Sequence, residues 1–104
     1  MIEQRRARRF PIRVQLHITG EPDLEISADT QDISASGLLL STDQQVADGS
    51  MLRFVMTFPA SVTKGKPLRV RCTGQVVRVD KKPSDYEVAV RFKHFQFLSP
   101  TFDH

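Results

Sequence analysis

Apolar and polar residues alternate strictly from position 12, and this alternation predicts a half-buried β-strand. Its apolar positions are Ile12, Val14, Leu16 and Ile18. Residues 19–23 have the composition of a turn, because glycine, proline and aspartate fall together there. The alternation resumes at Leu24 and predicts a second strand that runs to about Gln31.

Four further strands are predicted downstream of the first two. They cover residues 38–40, 52–58, 68–79 and 86–92. Asp48-Gly49 is the clearest turn signal between them, and Pro59 ends the fourth strand. In the long fifth strand, Val77 and Val79 have the opposite parity from the apolar residues before them. Gly74 is therefore expected to mark a bulge or bend that shifts the register.

Six short strands at close spacing, with no amphipathic helical pattern of about ten residues or more, predict an all-β fold. A six-stranded antiparallel β-barrel is the expected closure, because a closed barrel leaves no exposed edge strands. We expect a single domain, with residues 1–11 as a flexible arm, 12–93 as the barrel and 94–104 as a C-terminal cap. The cap is rich in phenylalanine, which predicts a short helical element over one barrel end. A partner surface is the alternative use of these rings.

Composition limits the class of protein. At 104 residues the chain is long enough for a hydrophobic core without disulfides. Its one cysteine, Cys72, cannot form an intrachain disulfide, which fits a reducing compartment, and we interpret it as a small buried hydrophobe. No run approaches the roughly 18 apolar residues of a membrane helix. We therefore predict a cytoplasmic protein without membrane insertion.

Positive charge is concentrated at the N-terminus. The net charge of the chain is +3, and residues 1–13 hold five arginines against one glutamate, a net +4. Arginine presents a flat fork that suits phosphate groups or a guanine edge, and it can stack on a base. The composition therefore indicates an anionic ligand, with a solvated basic tail as the alternative.

Catalytic and metal-binding patterns are weak. The three histidines, at positions 17, 94 and 104, are scattered and lack the spacing of metal ligands. No Ser, His and acid grouping or Gly-rich phosphate loop can be assembled. We predict that the protein is not an enzyme and holds no metal or cofactor.

A polar corner at Asp32-Ile33-Ser34-Ala35-Ser36-Gly37 precedes three leucines. The Asp32 carboxylate is suited to accept hydrogen bonds from the ring N–H and amino group of guanine. The Ser34 hydroxyl can donate or accept, and Gly37 permits a tight turn or close approach of a ligand. An ordinary turn between strands is the alternative, since these residue types favour turns.

This corner and the segment Arg5-Arg6-Ala7-Arg8-Arg9 together resemble the PilZ domain, the bacterial receptor module for cyclic di-GMP. The family pattern is Arg-x-x-x-Arg near the start, followed by Asp/Asn-x-Ser-x-x-Gly. The resemblance extends to Gly74-Gln75-Val76-Val77-Arg78 and to the segment 86–92, and so covers nearly the whole chain. It implies a six-stranded barrel with a short C-terminal helical element.

The resemblance also implies the site. The ligand-binding residues would be Arg5, Arg6, Arg9, Asp32, Ser34 and Gly37. The arginines would hold phosphates and guanine, Asp32 and Ser34 would face a guanine edge, and Gly37 would shape the turn. Arg9 and Arg13 have the same four-residue spacing as Arg5 and Arg9. We prefer the earlier pair, because Arg13 lies inside the alternation of the first strand.

We therefore expect a cyclic di-GMP receptor whose arm folds over the ligand and signals to a downstream protein partner. Two alternatives remain open: a PilZ-like adaptor that binds no nucleotide, and a nucleic-acid-binding barrel of the OB type, which we consider weaker because most phenylalanines have core parity. The sequence is compatible with a monomer or a dimer and with one or two bound dinucleotides.

Overall fold

A computed structural model describes residues 9–58, 60 and 65–98 of the chain. Within these residues six strands form a closed barrel in the order β1-β2-β3-β6-β5-β4, with every neighbouring pair antiparallel. The strands are β1 (Gln15–Gly20), β2 (Leu24–Ile33), β3 (Gly37–Thr42), β4 (Met51–Phe58), β5 (Leu68–Lys81) and β6 (Tyr86–Phe97). The predicted fold class is confirmed.

The core follows from the alternation in the sequence. Inward side chains from all six strands are buried, among them Ile18, Leu40, Leu52, Val70 and Val88, each with 0% exposure. Cys72 is also fully buried, as predicted. Burial raises the pKa of its thiol from 9.0 to about 11, so the thiol stays protonated and unreactive at neutral pH. None of the described residues forms a helix long and apolar enough to cross a membrane.

Thr30 is a fully buried polar residue that ties the segment before β1 to β2. Its hydroxyl donates to the carbonyl of Ile12 at 2.5 Å and accepts from the amide of Val14 at 2.8 Å. The Thr30 amide donates to the Val14 carbonyl at 2.9 Å. Because a side chain replaces the backbone partner of Val14, regular pairing and β1 begin at Gln15, later than the predicted Ile12.

Thr30→Val is expected to lower the free energy of unfolding by about 1–3 kcal/mol, because the partly buried carbonyl of Ile12 and amide of Val14 lose the Thr30 hydroxyl as partner. Urea unfolding of the wild type and the variant measures this loss. Thr57→Val is the matched control, because Thr57 is an exposed position on β4. Equal unfolding midpoints for both variants would show that the Thr30 hydroxyl contributes nothing to the fold.

Register shifts interrupt the ladder where β5 and β6 pair. A shift occurs beside Gly74, as predicted, but the extra residue there is Lys93 of β6. Strand β5 keeps its inward parity through Val76 and changes face at Val77, which has no partner in β6. Gly74 itself faces inward, where a Cβ would lie 2.4 Å from Cγ1 of Val90. Gly74 therefore serves close packing, and Val77 provides the bulge that moves the β5 apolar pattern.

Strand β6 extends into the segment predicted to be a C-terminal cap. Residues 94–97 were expected in a short helical element, but they continue β6 and pair with β5 as far as Val70↔Phe97. The amide of Leu98 still donates to the carbonyl of Arg69 at 3.0 Å. Strand β6 extends this far because β5 has 14 residues and offers backbone partners beyond the end of β3. The rest of the predicted cap, residues 99–104, lies outside the described residues.

Candidate functional site

The end of the N-terminal arm lies against the end of β2. Phe10 and Ile33 form an isolated antiparallel bridge, with backbone hydrogen bonds of 2.8 and 2.9 Å in the two directions. This bridge places Arg9 beside Asp32, and Nη1 of Arg9 donates to Oδ1 of Asp32 at 2.5 Å. The Arg9 side chain is 65% exposed and the Asp32 side chain 23% exposed. A ligand therefore has access to the guanidinium.

A bulge in β2 turns Asp32 outward. Thr30 pairs with Leu40 and Asp32 with Leu39, so Gln31 is the extra residue. Thr30 and Ile33 are both buried although their parity differs. Without the bulge, Asp32 would have the inward parity of Thr30 and its carboxylate would point to the core.

Ser34 organises the turn that follows Asp32. Its hydroxyl accepts from the amides of Ser36 at 3.2 Å and Gly37 at 3.3 Å, and its own amide donates to the carbonyl of Gly37 at 2.9 Å. The residue is only 8% exposed. In this arrangement the hydroxyl holds the turn together and lies less open to a ligand than the Asp32 carboxylate.

Gly37 begins β3 at a point where no side chain fits. A Cβ on Gly37 would lie 2.1 Å from the carbonyl oxygen of Val90 in β6. Gly37 pairs with Arg91, and the amide of Phe92 donates to the carbonyl of Ser36 at 2.9 Å. The glycine therefore allows the turn to lie directly on β6.

Arg9, Asp32, Ser34 and Gly37 line an open cleft of about 490 Å³ on the side of the barrel. Its wall is a row of paired residues across four strands, Asp32, Leu39, Ala89 and Arg78. Leu39, Ala89 and the bulged Val77 add outward-facing apolar surface. Such a surface beside hydrogen-bonding groups is suited to the flat face of a base.

Two arginines of the cleft were not predicted from the sequence as site residues. Arg78 lies next to the β5 bulge, with Nε 2.9 Å from Oδ2 of Asp80, and Arg91 is an exposed residue opposite Gly37. Together with Arg9 they outnumber Asp32, the carboxylate among the described lining residues, by three to one. Their position in the cleft depends on the cross-strand register, which the alternation of the sequence does not specify.

The residues predicted for the site, and Arg13 as the alternative arginine, have three different outcomes. Arg9, Asp32, Ser34 and Gly37 all line the cleft. Arg5 and Arg6 lie outside the described residues. Arg13 is not part of the lining, and its Nη2 donates to Oε1 of Gln31 at 3.4 Å. The structure thus brings Arg9 to the corner and places Arg13 outside the cleft.

A second depression, of about 360 Å³, has the opposite charge. Its lining includes Asp29, Asp43 and Asp85 and no basic residue among the described positions. It is unsuited to an anion, whereas the arginine-lined cleft contains the predicted residues Arg9 and Asp32 and is the candidate site for the predicted ligand. Among the described residues, no group of three or more His, Cys, Asp or Glu is arranged to hold a metal ion.

The closed barrel, the arm beside Ile33 and the arginine-lined cleft define a small β-barrel domain with an open binding site on its side. The sequence matches the PilZ domain over residues 3–100, so the chain belongs to the PilZ family. PilZ domains are receptor and adaptor domains associated with cyclic di-GMP and with protein partners. No curated protein matches the chain in sequence.

Two solved structures share the fold. The Bacillus subtilis inhibitor of motility, MotI/DgrA, has a TM-score of 0.72 and 16% identity, covering 91% of this chain. The match covers 45% of MotI, so the chain spans less than half the length of that protein. The PilZ domain of CeSA from a cellulose-synthesizing bacterium has a TM-score of 0.59 and 10% identity, with 84% of this chain and 81% of that chain covered.

Proposed function

We propose that the protein is a receptor for cyclic di-GMP and that it acts by binding rather than by catalysis. The observation that carries the proposal is the Arg9–Asp32 pair in a cleft with an excess of arginine, in a member of the PilZ family. The ligand carries two phosphates and two guanines. The cleft offers cations for the phosphates, an outward carboxylate for a guanine edge and apolar surface for the base.

Each described residue has a distinct part in this proposal. Arg9 leaves its contact with Asp32 and binds phosphate or guanine, which frees the carboxylate to accept from a guanine. Arg78 and Arg91 neutralise the far side of the ligand. Ser34 contributes by fixing the turn, because its hydroxyl already bonds within it. Arg5 and Arg6 remain the proposed partners of Arg9 in the arginine motif.

The proposed signal is a rearrangement of the arm. Arg9 is connected to the barrel through the Phe10–Ile33 bridge, so ligand that draws Arg9 away from Asp32 acts directly on this contact. A protein partner would then recognise the surface that the arm covers or exposes. We place this function in the cytoplasm, and control of motility or biofilm formation is compatible with it.

Asp32→Ala is expected to weaken the binding of cyclic di-GMP by about tenfold or more, because it removes the acceptor for guanine. Titration calorimetry with cyclic di-GMP measures this, with GTP and cyclic di-AMP as competing ligands. Asp29→Ala is the matched control, an exposed aspartate of the same strand that lies outside the cleft. Undiminished binding by Asp32→Ala would remove Asp32 from the site.

The second candidate is an adaptor that binds protein partners without nucleotide. It is favoured by the inward hydroxyl of Ser34 and by the likeness in fold to a protein described as an inhibitor of motility. The same calorimetry separates the two candidates. A folded wild-type protein that binds none of the three nucleotides would support the adaptor and contradict the receptor.

A further inference from the structure

A second charged surface lies on the outside of the barrel, away from the arginine-lined cleft. It is formed by outward positions of β4, the first half of β5 and the end of β6. We call it the basic face, and its members are Arg53, Val55, Arg69, Arg71 and His94. All five side chains are exposed. The first thirteen residues and the PilZ motifs do not include any of them.

The register places these residues side by side. Arg53 pairs with Thr73, which pairs with His94, and Val55 pairs with Arg71. Neighbouring strands are about 4.8 Å apart, so the three arginines and the imidazole of His94 lie near Val55 within the reach of one short peptide. A shallow depression of about 420 Å³ lies at this point, lined in part by Arg53, Val55 and Arg71.

No acidic residue occupies an outward position in these stretches of β4, β5 and β6. In the part of the chain that the structure describes, two carboxylates lie at the margin of the face: Oε2 of Glu21 is 3.3 Å from Nη2 of Arg53, and Oε2 of Glu25 is 3.0 Å from Nε2 of His17. Both pairs are exposed, and exposed pairs contribute little free energy. A partner carboxylate can therefore replace Glu21 on Arg53 at small cost.

We propose that the basic face docks an acidic segment of a partner protein, with an apolar side chain of that segment over Val55. Arginine forks bind carboxylates in a bidentate manner, which gives direction as well as attraction. Val55 is 37% exposed at the centre of the face and offers a small apolar contact. Acidic residues on both sides of one apolar residue match this arrangement.

The composition of the face favours a protein over other anions. Single-stranded nucleic acid binds on stacking aromatic rings. The exposed rings of Phe95 and Phe97 pair with Cys72 and Val70, so they lie on the opposite face of the sheet from the arginines of the basic face. An anionic membrane surface is bound by basic clusters together with inserted large apolar residues. The described part of the basic face exposes only one valine for that purpose.

The basic face and the cleft share β5 and β6 but no residue. Arg91 lines the cleft and His94 lies on the basic face, on either side of the Lys93 bulge. Docking on the basic face therefore does not require that the cleft binds cyclic di-GMP. The experiment that follows is carried out without nucleotide, so its failure is distinct from failure of the receptor proposal.

The test is a titration of the full chain with a synthetic amidated nonapeptide, in which glutamates flank a central leucine. Binding is followed through the amide NMR signals of the protein. The expected result is chemical-shift change at Arg53, Val55 and Arg71 and an affinity about tenfold above that of the same peptide with glutamine for glutamate. The affinity should fall as salt is raised. Equal affinity of the two peptides, no binding, or shifts confined to the cleft would overturn the proposal.

Substitutions locate the site. Arg53→Gln/Arg71→Gln is expected to weaken peptide binding about tenfold, whereas Lys81→Gln/Lys82→Gln, which removes the same charge at the β5–β6 turn, should change it less than twofold. Amide spectra confirm that each variant is folded. Equal losses of peptide affinity in the two double variants would mean that net charge alone causes the effect, and would overturn the assignment. Tighter binding of phosphatidylglycerol vesicles or of an oligothymidine at the same residues would also overturn it, in favour of a membrane or a nucleic acid.

Discussion

Arg9→Ala is expected to weaken cyclic di-GMP binding by about 30- to 1,000-fold, which corresponds to about 2–4 kcal/mol for a charge-assisted contact in a binding site. The guanidinium is 65% exposed before ligand arrives and lies 2.5 Å from the carboxylate of Asp32. It can therefore reach both a phosphate and the guanine beside Asp32. Titration calorimetry at fixed salt gives the ratio of dissociation constants.

Arg13→Ala is the matched control for this loss. It removes the same side chain four positions later, from a residue that donates to Gln31 and does not line the cleft. We expect its dissociation constant to stay within about twofold of the wild type, since it removes an exposed charge that does not line the cleft. A loss of affinity as large as that of Arg9→Ala would mean either that Arg9 and Arg13 are the operative pair or that net charge alone causes both losses.

The stability of Arg9→Ala separates binding from folding. The Arg9–Asp32 pair is largely exposed on the arginine side, and such pairs contribute about 0–1 kcal/mol. Urea unfolding of the variant should therefore be close to that of the wild type. A stable variant with weak binding would establish that Arg9 acts on the ligand and not on the barrel.

The fold was largely predictable because its strands are amphipathic. Leu16, Ile18 and Ile26 alternate with polar residues, and period-two alternation is a local property of the sequence. The end of β6 was not predictable in the same way. Phe95 and Phe97 are strand residues because β5 is long enough to offer them backbone partners that are distant in the sequence.

The site was predictable to the extent that motifs specify it. The two motifs indicated Arg9 and Asp32 as neighbours, and the structure places them in contact. The outward direction of Asp32 depends on the bulge at Gln31, and the presence of Arg78 depends on the bulge at Val77. A one-residue slip moves a side chain to the other face of a sheet, so these positions follow from the register rather than from local pattern.

Gly37→Ala is expected to lower the free energy of unfolding by about 3 kcal/mol, at the upper end of the cost of overpacking. A Cβ at this position would lie 2.1 Å from the carbonyl oxygen of Val90, and a backbone atom cannot rotate away as a side chain can. Relief requires that β3 moves from β6 at the start of their pairing. Urea unfolding compared with the wild type gives the loss.

Gly65→Ala is the control, because a Cβ built there meets no atom of the described residues beyond its chain neighbours within 4 Å. It should change stability by less than about 1 kcal/mol, as a glycine replacement at an unstrained position does. Equal stability of Gly37→Ala and the wild type would mean that the close contact with Val90 is not maintained in solution.

Gly37→Ala also tests how the turn before β3 and the cleft are connected. The displaced β3 carries Leu39, and the turn before it is tied to β6 through the Ser36 carbonyl and the amide of Phe92. Separation of β3 from β6 would therefore move Leu39 and Arg91 apart and widen the cleft. We expect Gly37→Ala to bind cyclic di-GMP at least about tenfold more weakly under conditions where it is still folded. Wild-type affinity in a destabilised variant would instead show that Gly37 serves the barrel and that the ligand does not depend on the β3–β6 contact.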